Sequence, residues 1–163
     1  SGYIFQVSSI GGRVALPANS PYLAAKWAVG GFSDSVAMEV APFGVKICTL
    51  EPGGIRTNWL RRAGANQLEL LPDYEPSVGP ILQFRETYEG HQEGDPRKIA
   101  KVMVQLANSE DVPRRLILGV GAEKIVQEVE ARRAAEAEKW RHITHSTVFD
   151  DQEPSAALPG FLK

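Results

Sequence analysis

Several things are scarce in this chain of 163 residues, and each scarcity excludes something. There is one cysteine, so no internal disulfide framework can hold the fold together. No apolar run is long enough to span a bilayer. No segment combines a basic start, an apolar centre and a small-residue cleavage site, so cytoplasm is the expected compartment. The formal net charge is only -2, and no basic stripe is interleaved with aromatics, which removes the electrostatic case for nucleic acid as a partner. His142 and His145 stand three apart with no third ligand near them in sequence, so no metal site is expected. Repeats and low-complexity blocks are missing too. The doublets Arg114-Arg115 and Arg132-Arg133 read as solvated faces, and Cys48, inside an apolar run, as a small core residue.

What is present begins at the third residue. Tyr3 to Val7 is a short apolar run that reads as a strand and delivers Ser8 and Ser9 at its carboxyl end. A turn-rich connection from Ile10 to Asn19 leads to Ser20-Pro21, read as helix N-cap and first helical residue, opening a helix to about Val40. Pro42 and Gly44 should end it. Tyr22 and Lys26 then lie four apart on that helix, one above the other, where a phenol and an ammonium can share one small volume. A nearby positive charge favours a phenolate, and such a tyrosine can exchange a proton with a substrate oxygen. Ser9 would give that oxygen a second hydrogen bond. A second strand, Gly44 to Leu50, runs into Glu51-Pro52-Gly53-Gly54-Ile55-Arg56-Thr57. Ligands of open parallel sheets sit outside the carboxyl ends of the strands, so both motifs point at one crevice.

Ser9, the Tyr22 and Lys26 pair, and the Pro52-Gly53-x-Ile55-x-Thr57 run together resemble the short-chain dehydrogenase/reductase family, in its single-domain, hydroxysteroid-dehydrogenase-like branch. The resemblance implies an oxidoreductase using NAD or NADP. Tyr22 would be the acid/base, Ser9 would orient the substrate oxygen, and Lys26 would hold the ribose hydroxyls and lower the tyrosine pKa. Pro52, Gly53 and Ile55 would line the nicotinamide, and Thr57 would bond its carboxamide. The family's catalytic asparagine and its glycine-rich phosphate loop have no counterpart in these residues. The expected fold class is therefore α/β, the carboxyl-terminal portion of a doubly wound parallel-sheet Rossmann fold lacking the glycine-rich first half. The chain alone is expected to be inactive.

Beyond Thr57 the periodicity breaks up. Large apolar residues are scattered among prolines and glycines, and residues 58–94 read as a loop-built lid over an apolar alcohol or ketone. Asp95-Pro96 should cap another helix, Arg115 to Gly119 should be the last strand, and residues 122–141 a charged helix. Residues 1–143 are read as part of one domain and 144–163 as a mostly irregular tail. The helix carrying Tyr22 is apolar on more than one side, and in the family its second cover is the matching helix of a partner subunit, implying a homodimer or homotetramer. The first strand should expose an unpaired edge. The rival reading is a catalytically silent half-domain that binds a partner through that helix.

Overall fold

In a computed structural model, residues 1–64 and 69–150 are described. The chain divides into two compact units, Ser1–Val126 and Gln127–Lys163.

The first unit is built on three parallel strands in the order β1-β2-β3: β1 (Gly2–Val7), β2 (Val45–Pro52) and β3 (Arg115–Leu118). Parallel neighbours need a crossover, and α1 (Ser20–Val40) supplies the first. Helices α2 (Trp59–Gly64), α3 (Glu75–Tyr88) and α4 (Pro96–Ala107) lie in the second. The central strand carries the core: Ile47, Cys48, Thr49, Leu50 and Glu51 are all buried. A strand with neighbours on both edges and helical cover reads as a near-continuous buried run, as this one does. Val14, Leu23, Ala122 and Val126 complete the apolar centre. As expected, β1 has a neighbour on one edge only among the described residues, and Tyr3, Ile4 and Val7 are exposed.

Helix boundaries follow local chemistry. Asp95 caps α4 by accepting a hydrogen bond from the Arg97 amide at 2.8 Å. After α1, a 3-10 turn at Ala41–Phe43 ends on Gly44 at φ 68°, a left-handed conformation that glycine adopts without a Cβ clash. The start of α1 differs from expectation by one residue. Asn19, not Ser20, is the N-cap and makes no side-chain cap bond, so Pro21 falls second in a first turn whose amides are unpaired in any case.

The larger correction concerns residues 58–94. In place of a loop, the chain forms α2, a 3-10 turn at Pro72–Tyr74, and α3. Pro72 and Pro76 both sit in first turns, where a missing N–H is harmless, and only Pro80 lies inside a helix. Prolines that looked like breakers are helix starters. Residues 65–68 of this stretch lie outside the described ones.

The last helix of the first unit, α5 (Val120–Lys139), runs on into the second. There α6 (Arg141–His145) follows, with Arg141 paired to Glu138 and the rings of Trp140 and His142 stacked at 6.2 Å. Of the tail expected to be mostly irregular, Thr144 and His145 belong to α6, and residues 151–163 lie outside the described ones.

Candidate active site

Three short segments meet at the carboxyl end of the sheet: the turn after β1, the first turns of α1, and the exit from β2. The register sets Val7 beside Leu50, so Ser8 and Ser9 emerge next to Glu51 and Pro52. Ser8 is buried, and its hydroxyl donates to the Lys26 carbonyl at 3.2 Å. Ser9 caps a one-turn 3-10 helix, Ile10–Gly12, by accepting from the Gly11 amide at 3.1 Å. The Ser9 hydroxyl also points to the Pro52 carbonyl, but at 3.4 Å that contact is beyond the usual O–H···O range. Its proton is free to find a better acceptor.

Helix α1 lies close against this turn because glycine leaves room. A Cβ on Gly12 would stand 2.9 Å from the Lys26 carbonyl oxygen. The point where a Gly11 Cβ would sit is 3.3 Å from Tyr22 Cε1 and 3.5 Å from Ser9 Oγ, which places the two side chains in one small volume. Lys26 Nζ donates to the Val7 carbonyl at 2.9 Å and stands 5.7 Å from the centroid of the Tyr22 ring. One of its three N–H groups is thereby tethered and the others remain available. Tyr22 is half-buried, and among the described residues no hydrogen bond engages its hydroxyl. Its ring meets the Trp59 indole at 5.1 Å with a 46° tilt.

The structure thus brings Ser9, Tyr22, Lys26 and Pro52 together. The other expected residues follow along the exit from β2. Gly53 donates to the Leu118 carbonyl at 3.0 Å, and a side chain on it would collide with Ala122. Gly54 is pressed by the Tyr88 hydroxyl, which burial and then the Glu93 carboxylate push above the usual phenol range. Ile55 bridges to Gly94, and the Arg56 guanidinium donates to the Gln92 carbonyl at 3.2 and 3.0 Å. Thr57 is exposed, and its hydroxyl accepts from the Trp59 amide at 3.3 Å. It reaches the tyrosine through Trp59 rather than directly.

Beside this site lies a charged cluster that sequence reading missed. Glu51 is fully buried; Arg13 donates to it at 2.6 Å and Arg115 at 3.0 Å. Arg115 also grips Asp34 of α1, at 2.5 Å for the shortest contact, and its guanidinium packs over Gly30. The hydrogen bond to Asp34 raises the guanidinium pKa against the lowering effect of burial, and the charges of Asp34 and Glu51 add to the rise. Arg115 is therefore not half of a solvated doublet, although Arg114 is exposed as expected. The available signal was Glu51 itself, since a carboxylate in the run Cys48-Thr49-Leu50-Glu51 cannot be buried without cationic partners. Cys48 is a core thiol as expected, and burial, with Glu51 nearby, pushes it up from its ordinary value.

Among the described residues no group of three potential ligands could hold a metal, and no helix is long and apolar enough to cross a membrane.

The geometry defines a class, an α/β fold whose parallel strands end beside a Ser9, Tyr22 and Lys26 cluster, and the comparisons with known proteins narrow it. A family profile described as short chain dehydrogenase matches residues 1–68. Oxidoreductase BOA17 of Botryotinia fuckeliana is 42% identical over 146 residues, which is 88% of this chain and 52% of that protein. The crystal structure of a short-chain dehydrogenase from Streptomyces avermitilis superposes with a TM-score of 0.77 at 32% identity, covering 91% of this chain and 54% of that one. A short chain dehydrogenase from Burkholderia cenocepacia in complex with NADP shares the fold, with a TM-score of 0.53 at 23% identity over 85% of this chain and 47% of that one. The chain belongs to the short-chain dehydrogenase/reductase family. It spans about half the length of the relatives it matches.

Proposed function

We propose that these residues serve an oxidoreductase that moves hydride between NAD or NADP and a secondary alcohol or ketone, with Tyr22 as acid/base. The observation that carries this reading is the convergence of Ser9 Oγ and the Tyr22 ring at Gly11, beside a tethered Lys26, with the phenol hydroxyl unengaged. In the reducing direction the carbonyl carbon receives the hydride while Tyr22 gives its phenolic proton to the carbonyl oxygen. Ser9 donates to the same oxygen, exchanging its long contact with Pro52 for a better one. In the oxidising direction Tyr22 takes the alcohol proton as the hydride leaves.

The nicotinamide supplies the hydride chemistry when bound. The residues present fit its end of the cofactor. Lys26 has spare N–H groups for ribose hydroxyls, Pro52 and Gly53 offer a strand tip without bulk, and Ile55 and Thr57 follow it. The scattered large apolar residues of α2 and α3 favour an apolar alcohol or ketone. Residues 1–143 are read as part of one Rossmann-type domain that closes over substrate with 58–94, in a cytoplasmic protein. Exposed Phe32 and Trp27 on α1 favour a homodimer or homotetramer built on that helix.

A second reading rests on the open apolar edge of β1: a catalytically silent half-domain that binds a partner. The two separate on one measurement, nicotinamide absorbance with a panel of ketones, made on the whole protein and on this chain. Turnover by the whole protein that disappears in Tyr22→Phe supports the enzyme reading. Cofactor binding with no turnover of any ketone or alcohol would leave the silent one.

A further inference from the structure

We infer that Trp59 is a specificity-determining residue that selects a planar ring next to the reacting carbon; the inference rests on the hydride-transfer reading above. Trp59 opens α2 directly after the cofactor-facing run, and its amide is pinned by Thr57 Oγ1 at 3.3 Å. Its indole leans on the Tyr22 ring at 5.1 Å and is still 43% exposed, so part of a large flat surface beside the acid/base faces solvent. The Tyr22 hydroxyl is unengaged, whereas its ring is bounded by Trp59, by Gly11 and by Lys26 at 5.7 Å. Among the described residues, only Trp59 of these boundaries is both apolar and broad. A molecule whose oxygen meets Tyr22 must pass a substituent along one of them, and an ammonium or a glycine turn offers an apolar substituent nothing.

An indole prefers offset or tilted contact with another ring, and such pairs gain beyond the area they bury. A branched or flexible alkyl group gains area alone. The substrate class is therefore an aryl or conjugated cyclic ketone or alcohol, not merely an apolar one.

The test uses acetophenone and 2-octanone with the whole protein and its Trp59→Phe, Trp59→Leu and Trp59→Ala variants. The expected result is an aryl-over-alkyl preference in kcat/KM that falls about tenfold in the Leu and Ala variants, chiefly through KM, and is kept in Phe. Equal losses for both ketones assign Trp59 a structural role and overturn the inference. A preference lost in Ala but kept in Leu overturns the planar-ring selection in favour of bulk. If the wild-type protein reduces neither ketone nor any other, the hydride-transfer reading itself fails; wild-type turnover with an unaltered preference removes only this inference.

Discussion

Two polar clusters flank the end of β2, and they are finished differently. In the Arg13, Glu51, Arg115 and Asp34 cluster every charge meets an opposite one, and Glu51 is wholly buried. In the Ser9, Tyr22 and Lys26 cluster the backbone does the holding: the Val7 carbonyl tethers the ammonium, and the Gly11 amide holds the serine oxygen. The phenol hydroxyl meets no partner at all among the described residues. A cluster that satisfies itself has nothing left for a ligand and can only fix geometry. One that is held from behind keeps its polar tips for someone else's oxygen. Both use the same strand end, so the first braces what the second needs.

The contrast would break most visibly at Tyr22. Tyr22→Phe removes the proton but keeps the ring that packs on Trp59, so turnover of the whole protein should fall by about 10³-fold or more while cofactor affinity and unfolding midpoint hardly move. Retained turnover would show that the open cluster is not where the proton passes. Glu51→Ala should do the reverse. It takes from Arg13 and Arg115 the buried carboxylate they share, and stability should drop by about 3 kcal/mol, read as a lower denaturant midpoint. Replacing Arg13, Glu51 and Arg115 together by apolar residues of similar size should recover much of that loss, because a buried ion cluster weighs against its own desolvation. Lys26→Ala falls between the two clusters in kind. Losing the Val7 tether and the spare N–H groups should weaken cofactor binding about tenfold and lower kcat with it, measured by titration and by steady-state rates. An effect on stability alone would move Lys26 into the self-satisfied class.

The open cluster was legible in the sequence and the closed one was not, for a physical reason. Tyr22 and Lys26 are coupled by helix spacing, and Ser9 and Pro52 by strand ends, so local pattern places them. Arg13, Glu51, Asp34 and Arg115 come from a turn, two strands and a helix, with separations of up to 81 residues that only the sheet register closes. The strands and the α1 and α4 helices were readable from periodicity and caps. The 58–94 stretch was misread because proline signals a helix start as readily as a stop, and only its place in the turn decides which. The expected double cover of α1 is half met within the chain, since the buried side is Leu23, Gly30 and Ser33 while Phe32 stays 62% exposed.

The smallest effect should come from the closed cluster's outer member, and it sharpens the comparison inside that cluster. Arg115 holds Asp34 through three donor contacts and Glu51 through one, so a tally of bonds would rank Asp34 first. Burial ranks them the other way: the Asp34 side chain is 38% exposed and the Glu51 side chain 0%. Water can replace what Asp34 offers, whereas nothing replaces Glu51 between two guanidiniums. Asp34→Asn should therefore cost about 1 kcal/mol or less, shrinking further as salt is raised, against the several-fold larger and salt-insensitive loss for Glu51→Ala. Equal costs for the two substitutions, with equal salt dependence, would mean that the number of contacts and not exclusion of water governs this cluster, and the distinction between a closed and an open set of charges at the end of β2 would lose its physical basis.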